Sequence, residues 1–310
     1  MGSRSGRARR GPEQGSDGAR PSKLAPALYI VATPIGNAGD MTLRGLEVLA
    51  GADVVACEDT RRTAKLLAIH HIKARLASYH DHNAARAGPR LLTRIGAGES
   101  VALVSDAGTP LISDPGYRLA AAAIAAGHDV VPIPGPSAVL AALSVAGLPT
   151  DRFLFAGFLP SRASARRRAL GELASIPATL VVMESARRLV ATLADMAAAF
   201  GPRPAAIARE LTKLHEEVRR DTLSSLATAI AEERAESGHP PLGEVTIVIG
   251  PPPRETIHSD IETNASDQLL GAALATMRPG PAAVAVAEAT GLPRKSLYAR
   301  AVALKRGGAG

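Results

Sequence analysis

The chain has 310 residues, 46% of them hydrophobic and 21% charged, which is the composition of a globular protein long enough for two domains. No apolar run approaches the roughly 18 residues of a membrane span, and the N-terminus lacks the apolar region of a secretory signal. Cys57 is the only cysteine, which excludes an internal disulfide framework and a cysteine-based metal cage. The composition therefore predicts a soluble, cytoplasmic protein without a membrane partner.

The net charge of +7 is concentrated at the two ends of the chain. Residues 1–26 carry six basic and two acidic side chains, and residues 268–310 carry six basic and one acidic, which leaves a slightly negative body. This pattern predicts polyanion contacts at the ends and a small-molecule site in the middle. The N-terminal segment is also rich in Gly, Ser and Pro, which favours a disordered, solvated tail over residues 1–26.

The first half of the chain alternates strand and helix patterns, which predicts a mostly parallel sheet covered on both faces by helices, in a domain over 27–149. The predicted strands are Leu28–Ala32, Asp53–Cys57, Arg75–Tyr79, Val101–Val104 and Asp129–Ile133. The predicted helices are Thr42–Ala50, Thr60–Ile69, Asn83–Ile95, Tyr117–Ala126 and Ala138–Ala146.

A second α/β unit, with more antiparallel pairing, is predicted over 150–250. Its predicted strands are Phe153–Ala156, Thr179–Met183, Ala205–Ala208, Glu216–Arg220 and Glu244–Ile249. Its predicted helices are Ala163–Ala174, Ala186–Phe200 and Leu223–Ala235. The polar, proline-bearing stretch 251–267 is typical of a linker.

The sequence pattern of residues 268–306 predicts a small helical unit. Within it, Pro281–Arg300 has the pattern of a helix, a Gly-containing turn and a second helix, as in a helix-turn-helix. Arg294, Lys295 and Arg300 fall on the second helix and are candidates for nucleic-acid contact. The alternative interpretation is a helical hairpin that only caps the body.

The most informative segment follows the predicted strand Val101–Val104. Eleven residues of turn chemistry separate Ser105 from the next helix, and ligands in α/β sheets bind beyond the carboxyl ends of strands. Asp114-Pro115 is typical of a helix N-cap and first residue. Asp106 has no such structural explanation, because the Gly and Pro that follow it cannot continue a helix.

Polar loops also follow the first two strands. After the first, Gly36 and Gly39 permit close approach of backbone to a ligand, and Asp40 is predicted to cap the next helix, although the loop is not a dinucleotide fingerprint. After the second come Glu58, Asp59, Thr60 and Arg61. Asp59 or Thr60 has an N-cap as its alternative role.

Similar loops follow the third and fifth strands. His80-Asp81-His82 resembles a metal-ligand pair, but without a further His or Cys cluster the sequence favours hydrogen bonding or substrate contact. Pro134–Ser137 ends the fifth strand and offers donors to a polar ligand group. In the second unit, Ala208–Lys213 and Glu184–Arg188 concentrate functional side chains after strands. The sequence therefore predicts a cleft between the two units.

Together these segments resemble the tetrapyrrole-methylase superfamily, and within it the branch of small-subunit ribosomal RNA cytidine 2′-O-methyltransferases. The motifs that carry the resemblance are Thr33–Asn37, Glu58–Arg61, His80–Asn83, Ser105–Pro110, Asp114–Gly116, Pro134–Ser137, Gly157–Pro160 and Ala208–Lys213. The resemblance runs from about Leu28 to Gly250 and resumes at the C-terminal helices. The loops at 34–40 and 106–110 depart from the pattern of the porphyrinoid enzymes and match the ribosomal RNA branch.

The resemblance implies two α/β domains with S-adenosylmethionine in the cleft between them, commonly in a homodimer. The implied cofactor-binding residues are Pro34, Gly36, Asp106, Ala107, Gly108, Thr109, Ser137, Ala138 and Leu211. The implied reaction is attack of a cytidine ribose 2′-hydroxyl, in the decoding region of 16S ribosomal RNA, on the methyl group of S-adenosylmethionine. No metal is required, because the sulfonium already activates the methyl group.

Such a reaction needs alignment and a proton acceptor. The candidate bases are Asp106, Glu58, Asp59 and His80, and the candidate contacts to RNA phosphates in the body are Arg61, Arg209 and Lys213. Aromatic residues make up only 3% of the chain, so recognition of an assembled subunit by shape is favoured over stacking on many bases. The alternatives are a methyltransferase for a tetrapyrrole or other small molecule, and a non-enzymatic nucleic-acid-binding regulator.

Overall fold

In a computed structural model, the described residues are 23–112, 116–237, 243–253, 266–291 and 293–307. They form two compact units that divide between Ala138 and Val139, and each unit holds one five-stranded sheet. The predicted tail lies outside the described residues up to position 22, as does most of the predicted linker. The sequence-based domain bounds stay a prediction; the division falls eleven residues before the predicted boundary at 149/150.

The first sheet is parallel throughout, as predicted, with strand order β3-β2-β4-β1-β5. Its strands are β1 (Leu28–Val31), β2 (Val54–Cys57), β3 (Leu76–Ser78), β4 (Val101–Leu103) and β5 (Val130–Ile133). The helices that follow them are α1 (Leu43–Gly51), α2 (Thr60–Ile69), α3 (Ala84–Gly96), α4 (Tyr117–Ala125) and α5 (Ala138–Ala146).

Both faces of this sheet are buried, since successive strand residues belong to two separate hydrophobic clusters. Leu28 and Leu103 pack with residues of α3 and α4 on one face, whereas Val31 and Val55 pack with residues of α1 and α2 on the other. The near-continuous apolar strands of the sequence therefore reflect burial on both sides.

The start of α1 corrects one sequence prediction. The N-cap is Thr42, whose hydroxyl accepts from the Gly45 N–H at 3.1 Å, and not Asp40. Asn37 instead caps a short 3-10 turn that ends at Asp40, and this turn displaces the helix start. At α4, the predicted cap Asp114 and Pro115 lie outside the described residues, and the helix begins at Tyr117 after Gly116.

A hydrogen-bonded pair joins the amino ends of the neighbouring strands β2 and β4. The Ser100 N–H and hydroxyl each donate to Asp53 Oδ2 at 2.8 Å, and the Ser100 hydroxyl accepts from the Asp53 N–H at 3.0 Å. The Ser100 N–H, and after it the hydroxyl, lower the pKa of Asp53 below its usual value. The pair fixes the register of two strands whose opposite ends carry the loops described below.

The second sheet has the order β6-β7-β10-β8-β9, with β6 and β7 parallel and the other pairs antiparallel. Its strands are β6 (Phe153–Phe158), β7 (Thr179–Ser185), β8 (Pro204–Arg209), β9 (Glu217–Thr222) and β10 (Glu244–Ile249). Its helices are α6 (Ala163–Leu173), α7 (Leu189–Phe200) and α8 (Leu223–Ser237). All three contribute to one core cluster with Leu180, Val182 and Ile247.

The C-terminal helices comprise α9 (266–274), α10 (Pro279–Thr290) and α11 (Arg294–Gly307). Gly291, in the left-handed conformation, ends α10, and a small core that includes Leu270, Val286 and Leu297 holds the helices together. The predicted helix, turn and helix are thus present. In the part of the chain that the structure describes, no helix has the length and apolar content needed to cross a membrane.

Replacement of Ser100 by Ala is expected to lower the free energy of unfolding by about 1 kcal/mol at pH 7, because it removes the hydroxyl bonds to Asp53. A carboxyl with a depressed folded-state pKa contributes stability above its unfolded pKa of about 4, and this contribution is lost as the pH falls through the folded-state pKa. The difference between Ser100→Ala and the unaltered protein should therefore shrink in acid. Urea unfolding at pH 7 and pH 3 measures it.

Ser144→Ala provides the control, because that exposed hydroxyl bonds only to a carbonyl of its own helix, at Ala141. Its effect should be small and independent of pH. An equal loss for Ser100→Ala at both pH values would contradict the role given to Asp53.

Candidate active site at the carboxyl end of the first sheet

The order of strands in the first sheet marks the carboxyl ends of β1 and β4 as the expected ligand-binding edge. These strands are neighbours, but the chain leaves β1 toward β2 on one side and leaves β4 toward β5 on the other. In open α/β sheets, ligands bind at such a point, where the connections diverge. The two most glycine-rich loops predicted from the sequence meet there.

A reciprocal backbone bridge joins the two loops. The Thr33 N–H donates to the Gly108 carbonyl at 2.9 Å, and the Gly108 N–H donates to the Thr33 carbonyl at the same distance. The buried Thr33 hydroxyl also donates to the Ser105 carbonyl at 3.2 Å. Gly108 has a φ of +76°, which only glycine adopts readily. The bridge thus folds the loop after β4 onto the loop after β1.

The loop after β5 joins the same cluster. The Thr109 hydroxyl donates to the Pro136 carbonyl at 3.2 Å. A Cβ at Gly135 would lie 3.0 Å from the Cβ of Ala32, so a side chain at this position would require its neighbour to shift. Ser137 and Ala138 follow directly at the start of α5. Eight of the nine predicted cofactor residues therefore lie on three loops that contact each other.

Asp106 connects this cluster to the end of β2. One carboxylate oxygen accepts from the Asp59 N–H at 3.1 Å, and the other pairs with the Arg62 guanidinium at 3.2 Å. The Asp106 side chain is 24% exposed, so it remains accessible to a bound molecule. A carboxylate has about four acceptor positions, which leaves some available for a substrate hydroxyl.

Asp59 is the N-cap of α2, which is the alternative role that the sequence indicated. Its carboxylate caps α2 by accepting from the Arg61 N–H at 2.8 Å, and it also pairs with the Arg61 side chain at 3.0 Å. The side-chain hydrogen bond from Arg61 and then the backbone one lower the pKa of Asp59 to about 2. Such a carboxylate is a weak proton acceptor at neutral pH.

The other two candidate bases, Glu58 and His80, follow β2 and β3. Glu58 is exposed, and no hydrogen bond or ion pair involves its side chain within the described residues. His80 follows β3, which is separated from β4 by β2, or by about 10 Å at the usual strand spacing. The backbone N–H of His80 donates to Asn83 Oδ1 at 3.0 Å. The ring Nδ1 of His80 is buried and has no hydrogen-bond partner in the described part of the chain.

In the second unit, the loop after β8 is strained and heavily paired. Glu210 and Thr212 have φ values of +50° and +67°, a conformation that costs a non-glycine residue about 1–3 kcal/mol and is frequent at functional sites. Lys213 Nζ pairs with Glu210 at 2.9 Å and with Glu244 at 3.4 Å. Although burial alone lowers the pKa of Lys213, these carboxylates raise it above its usual value.

The remaining predicted residues of this loop are also accounted for within the second unit. Arg209 pairs with Glu217 at 2.8 Å, and Leu211 is buried. Arg209 and Lys213 would thus have to exchange carboxylate partners to reach an RNA phosphate. Glu210 lies in the same motif as Lys213, whereas Glu217 and Glu244 lie on other strands, so the sequence pattern did not show these two as partners.

Two residues of the first site were not predicted individually from the sequence. Thr33 forms the bridge, and Arg62 is the cation that pairs with Asp106. Arg62 falls in the same charged run as Arg61, but only the fold shows which of the two reaches Asp106. Among the described residues, no group of three or more His, Cys, Asp or Glu side chains is placed to hold a metal ion.

Comparison with known proteins agrees with this architecture. The family model of the tetrapyrrole (corrin/porphyrin) methylases matches residues 27–227, and a model of a C-terminal helix-turn-helix domain, named for RsmI, matches 260–305. Solved structures of cobalt precorrin-4 methyltransferase and of diphthine synthase share the fold. The precorrin enzyme has a TM-score of 0.53 and 21% identity, over 72% of this chain and 94% of its own. Diphthine synthase has a TM-score of 0.56 and 20% identity, over 72% of this chain and 89% of its own.

Curated relatives are much more similar in sequence. The ribosomal RNA small subunit methyltransferase I of Mesorhizobium japonicum is 51% identical, over 93% of this chain and 94% of its own. The protein of the same name from Escherichia coli O157:H7 is 42% identical, over 87% of this chain and 93% of its own. Since both the family model and these relatives cover most of the sequence, the chain belongs to the tetrapyrrole methylase family.

Proposed function

We propose that this chain transfers the methyl group of S-adenosylmethionine to the ribose 2′-hydroxyl of a cytidine in the decoding region of 16S ribosomal RNA, within the assembled small subunit. The observation that carries the proposal is the similarity to small-subunit ribosomal RNA methyltransferases over nearly the whole chain, including the C-terminal helices. The porphyrinoid methyltransferases share only the fold, at about a fifth sequence identity.

The residues of the first sheet fit S-adenosylmethionine. A carboxylate, Asp106, stands beside backbone groups of the 105–109 loop, and the apolar Ile35 contacts the position of Gly108. A carboxylate suits a positive sulfonium, whereas backbone polar groups and an apolar side chain suit a nucleoside. When bound, S-adenosylmethionine supplies an already activated methyl group, so the chain has only to align the acceptor and remove a proton. Leu211 remains a proposed contact from the second unit.

Asp106 is the best placed of the four candidate bases. The Asp59 N–H and the Arg62 guanidinium hold its two oxygens in a fixed orientation, which a positioned proton acceptor requires. Asp59 caps α2 and binds Arg61 through both of its oxygens, and His80 is two strands away. Glu58 is exposed, and no hydrogen bond or ion pair orients its side chain within the described residues. We therefore assign Asp106 to orienting the ribose hydroxyl and accepting its proton.

RNA contact is proposed for exposed cations. The Arg61 side chain is largely exposed although it pairs with Asp59. Arg294 and Lys295 are exposed at the start of α11, whereas Arg300 pairs with Asp267 at 2.6 Å and also holds α11 to α9. Such contacts position the RNA by its phosphates and leave the choice of nucleotide to shape. A homodimer is part of the same proposal.

The proposed reaction is tested with labelled S-adenosylmethionine, small subunits purified from cells that lack the gene, and the corresponding naked RNA. Label is expected on the ribose of one cytidine in the subunit, with little transfer to short naked RNA. Equal rates on both would contradict recognition of the assembled particle. Transfer to a corrinoid precursor instead of RNA would overturn the proposed substrate.

Asp106→Asn is expected to lower kcat by about 10²–10⁴-fold, the usual contribution of a positioned acid or base. The amide can still accept from the Asp59 N–H, so the melting temperature should change little. Asp129→Asn, at the amino end of β5, is the matched control and should retain activity. Near-normal turnover of Asp106→Asn would remove this residue from the catalytic candidates.

Gly108→Ala should weaken S-adenosylmethionine binding measurably by calorimetry. An alanine at a φ of +76° costs about 1–2 kcal/mol, and relief of that strain would displace the bridge to Thr33. Gly127 has the same φ of +76° after α4, with nothing within 4 Å of an added Cβ. Gly127→Ala should therefore cost similar stability and leave the dissociation constant unchanged; equal dissociation constants for both variants would contradict the role of the bridge.

A further inference from the structure

The carboxyl edge of β6 and β7, in the second unit, carries an exposed aromatic ring and exposed arginines. Phe158 ends β6 with 58% of its surface exposed, in a chain that has four phenylalanines and no tryptophan. Neither the proposed reaction nor the residues of the first sheet use this surface. An exposed aromatic face is the type of surface on which unpaired nucleic-acid bases stack.

A β-bulge determines which way Phe158 faces. The pairing with β7 shifts by one residue between Phe155 and Gly157, so that Phe155 lies opposite Val181 and Phe158 opposite Met183. Without the bulge, Phe158 would share the face of Leu154, which packs on the helix-covered core. The extra residue moves it to the other face, as bulges do when they redirect a side chain.

The loop that carries Phe158 is held in place from β7 and α7. The Arg188 guanidinium donates to the carbonyls of Leu159 and Pro160 at 2.8 and 3.1 Å. Arg188 also pairs with the buried Glu184 at 3.2 Å, and Glu184 accepts from the Thr192 hydroxyl at 2.7 Å. Leu159 is itself buried in the core. The ring is therefore attached to a rigid backbone, which reduces the entropy lost on binding.

The charge at this edge is positive and available. Arg162 follows Phe158 in the same loop, and Arg187 follows the parallel neighbouring strand β7. Arg168 lies farther along the chain, in the second turn of α6. All three are exposed, and no carboxylate within the described residues forms an ion pair with them. By contrast, the cations of the strained loop after β8 are all neutralised by glutamates.

From this combination we propose that Phe158 stacks on an unpaired base of the RNA substrate, while Arg162 and Arg187 contact the adjacent phosphates. Single-stranded RNA is bound by such pairings of an aromatic face with cations, and stacking on one base contributes substantially to affinity. One stacked base is compatible with the low aromatic content. The inference rests on the proposed function, since it supplies that reaction with a contact to its substrate.

The test measures small-subunit binding and methyl transfer separately, with the full chain. Phe158→Ala should raise the dissociation constant and KM for subunits about ten-fold, within the range for one lost base stack, and leave S-adenosylmethionine binding unchanged. Phe158→Tyr should restore affinity, whereas Phe158→Leu should not. Arg162→Ala and Arg187→Ala should each reduce the salt dependence of subunit binding by about one phosphate contact.

The matched control is Phe153→Ala, which removes the exposed phenylalanine at the opposite end of β6. The inference would be overturned if Phe158→Ala or Phe158→Leu bound subunits as tightly as the unaltered protein. It would also be overturned if Phe153→Ala and Phe158→Ala lost the same affinity. If Phe158→Ala lowered the molecular mass of the free protein in solution, the ring would belong to an interface between protein chains instead. An unaltered protein that binds subunits without methylating them would contradict the proposed reaction alone.

Discussion

The backbone bridge between Thr33 and Gly108 is the constraint on which the rest of the first site depends. It connects the ends of two neighbouring parallel strands, a point at which the sheet itself provides no further pairing. Two reciprocal hydrogen bonds at 2.9 Å hold the loop after β4 against the loop after β1. Asp106 lies two residues before Gly108, so its orientation toward Asp59 and Arg62 follows from the same bridge.

The bridge also explains the residue types at this edge of the sheet. The positive φ of Gly108 and the close approach of Gly135 to Ala32 disfavour side chains at these two positions, independently of any ligand. The glycines of these loops thus permit the backbone conformations that bring the loops together. A ligand would then meet backbone groups whose positions are already fixed, which lowers the entropic cost of binding it.

The architecture was largely predictable because its signals are local. The bounds of α2, α5 and β10 were correct to the residue, since apolar periodicity and a capping residue or a turn mark each end. The start of α7 was wrong by three residues: Ala186, Arg187 and Arg188 form a turn, in which Arg188 reaches the buried Glu184. Asp40 failed as a cap because a 3-10 turn intervenes. In both cases a specific side-chain contact overrode helical propensity.

The candidate site was less predictable, because its chemistry depends on which charges meet. The sequence offered Asp59 and Asp106 as equivalent carboxylates, and only the fold assigns one to a helix cap with a pKa near 2 and the other to an accessible position between two donors. The same applies to cations. Arg209 and Lys213 were prominent in the sequence, yet Arg209 pairs with Glu217 of β9, and Lys213 pairs with Glu210 of its own loop and with Glu244 of β10.

Two groups of arginines in the second unit differ in both pairing and burial. Arg166 and Arg188 are wholly or largely removed from solvent, and each is held by a carboxylate and by backbone carbonyls, because an unpaired buried charge is costly. Arg162, Arg168 and Arg187 are exposed and have no carboxylate partner in the described residues, which costs little in water. Their charge makes no ion pair that would stabilise the fold, so it is available to a polyanion. Because Arg188 fixes the loop between Phe158 and Arg162, one buried arginine determines where the exposed ones are presented.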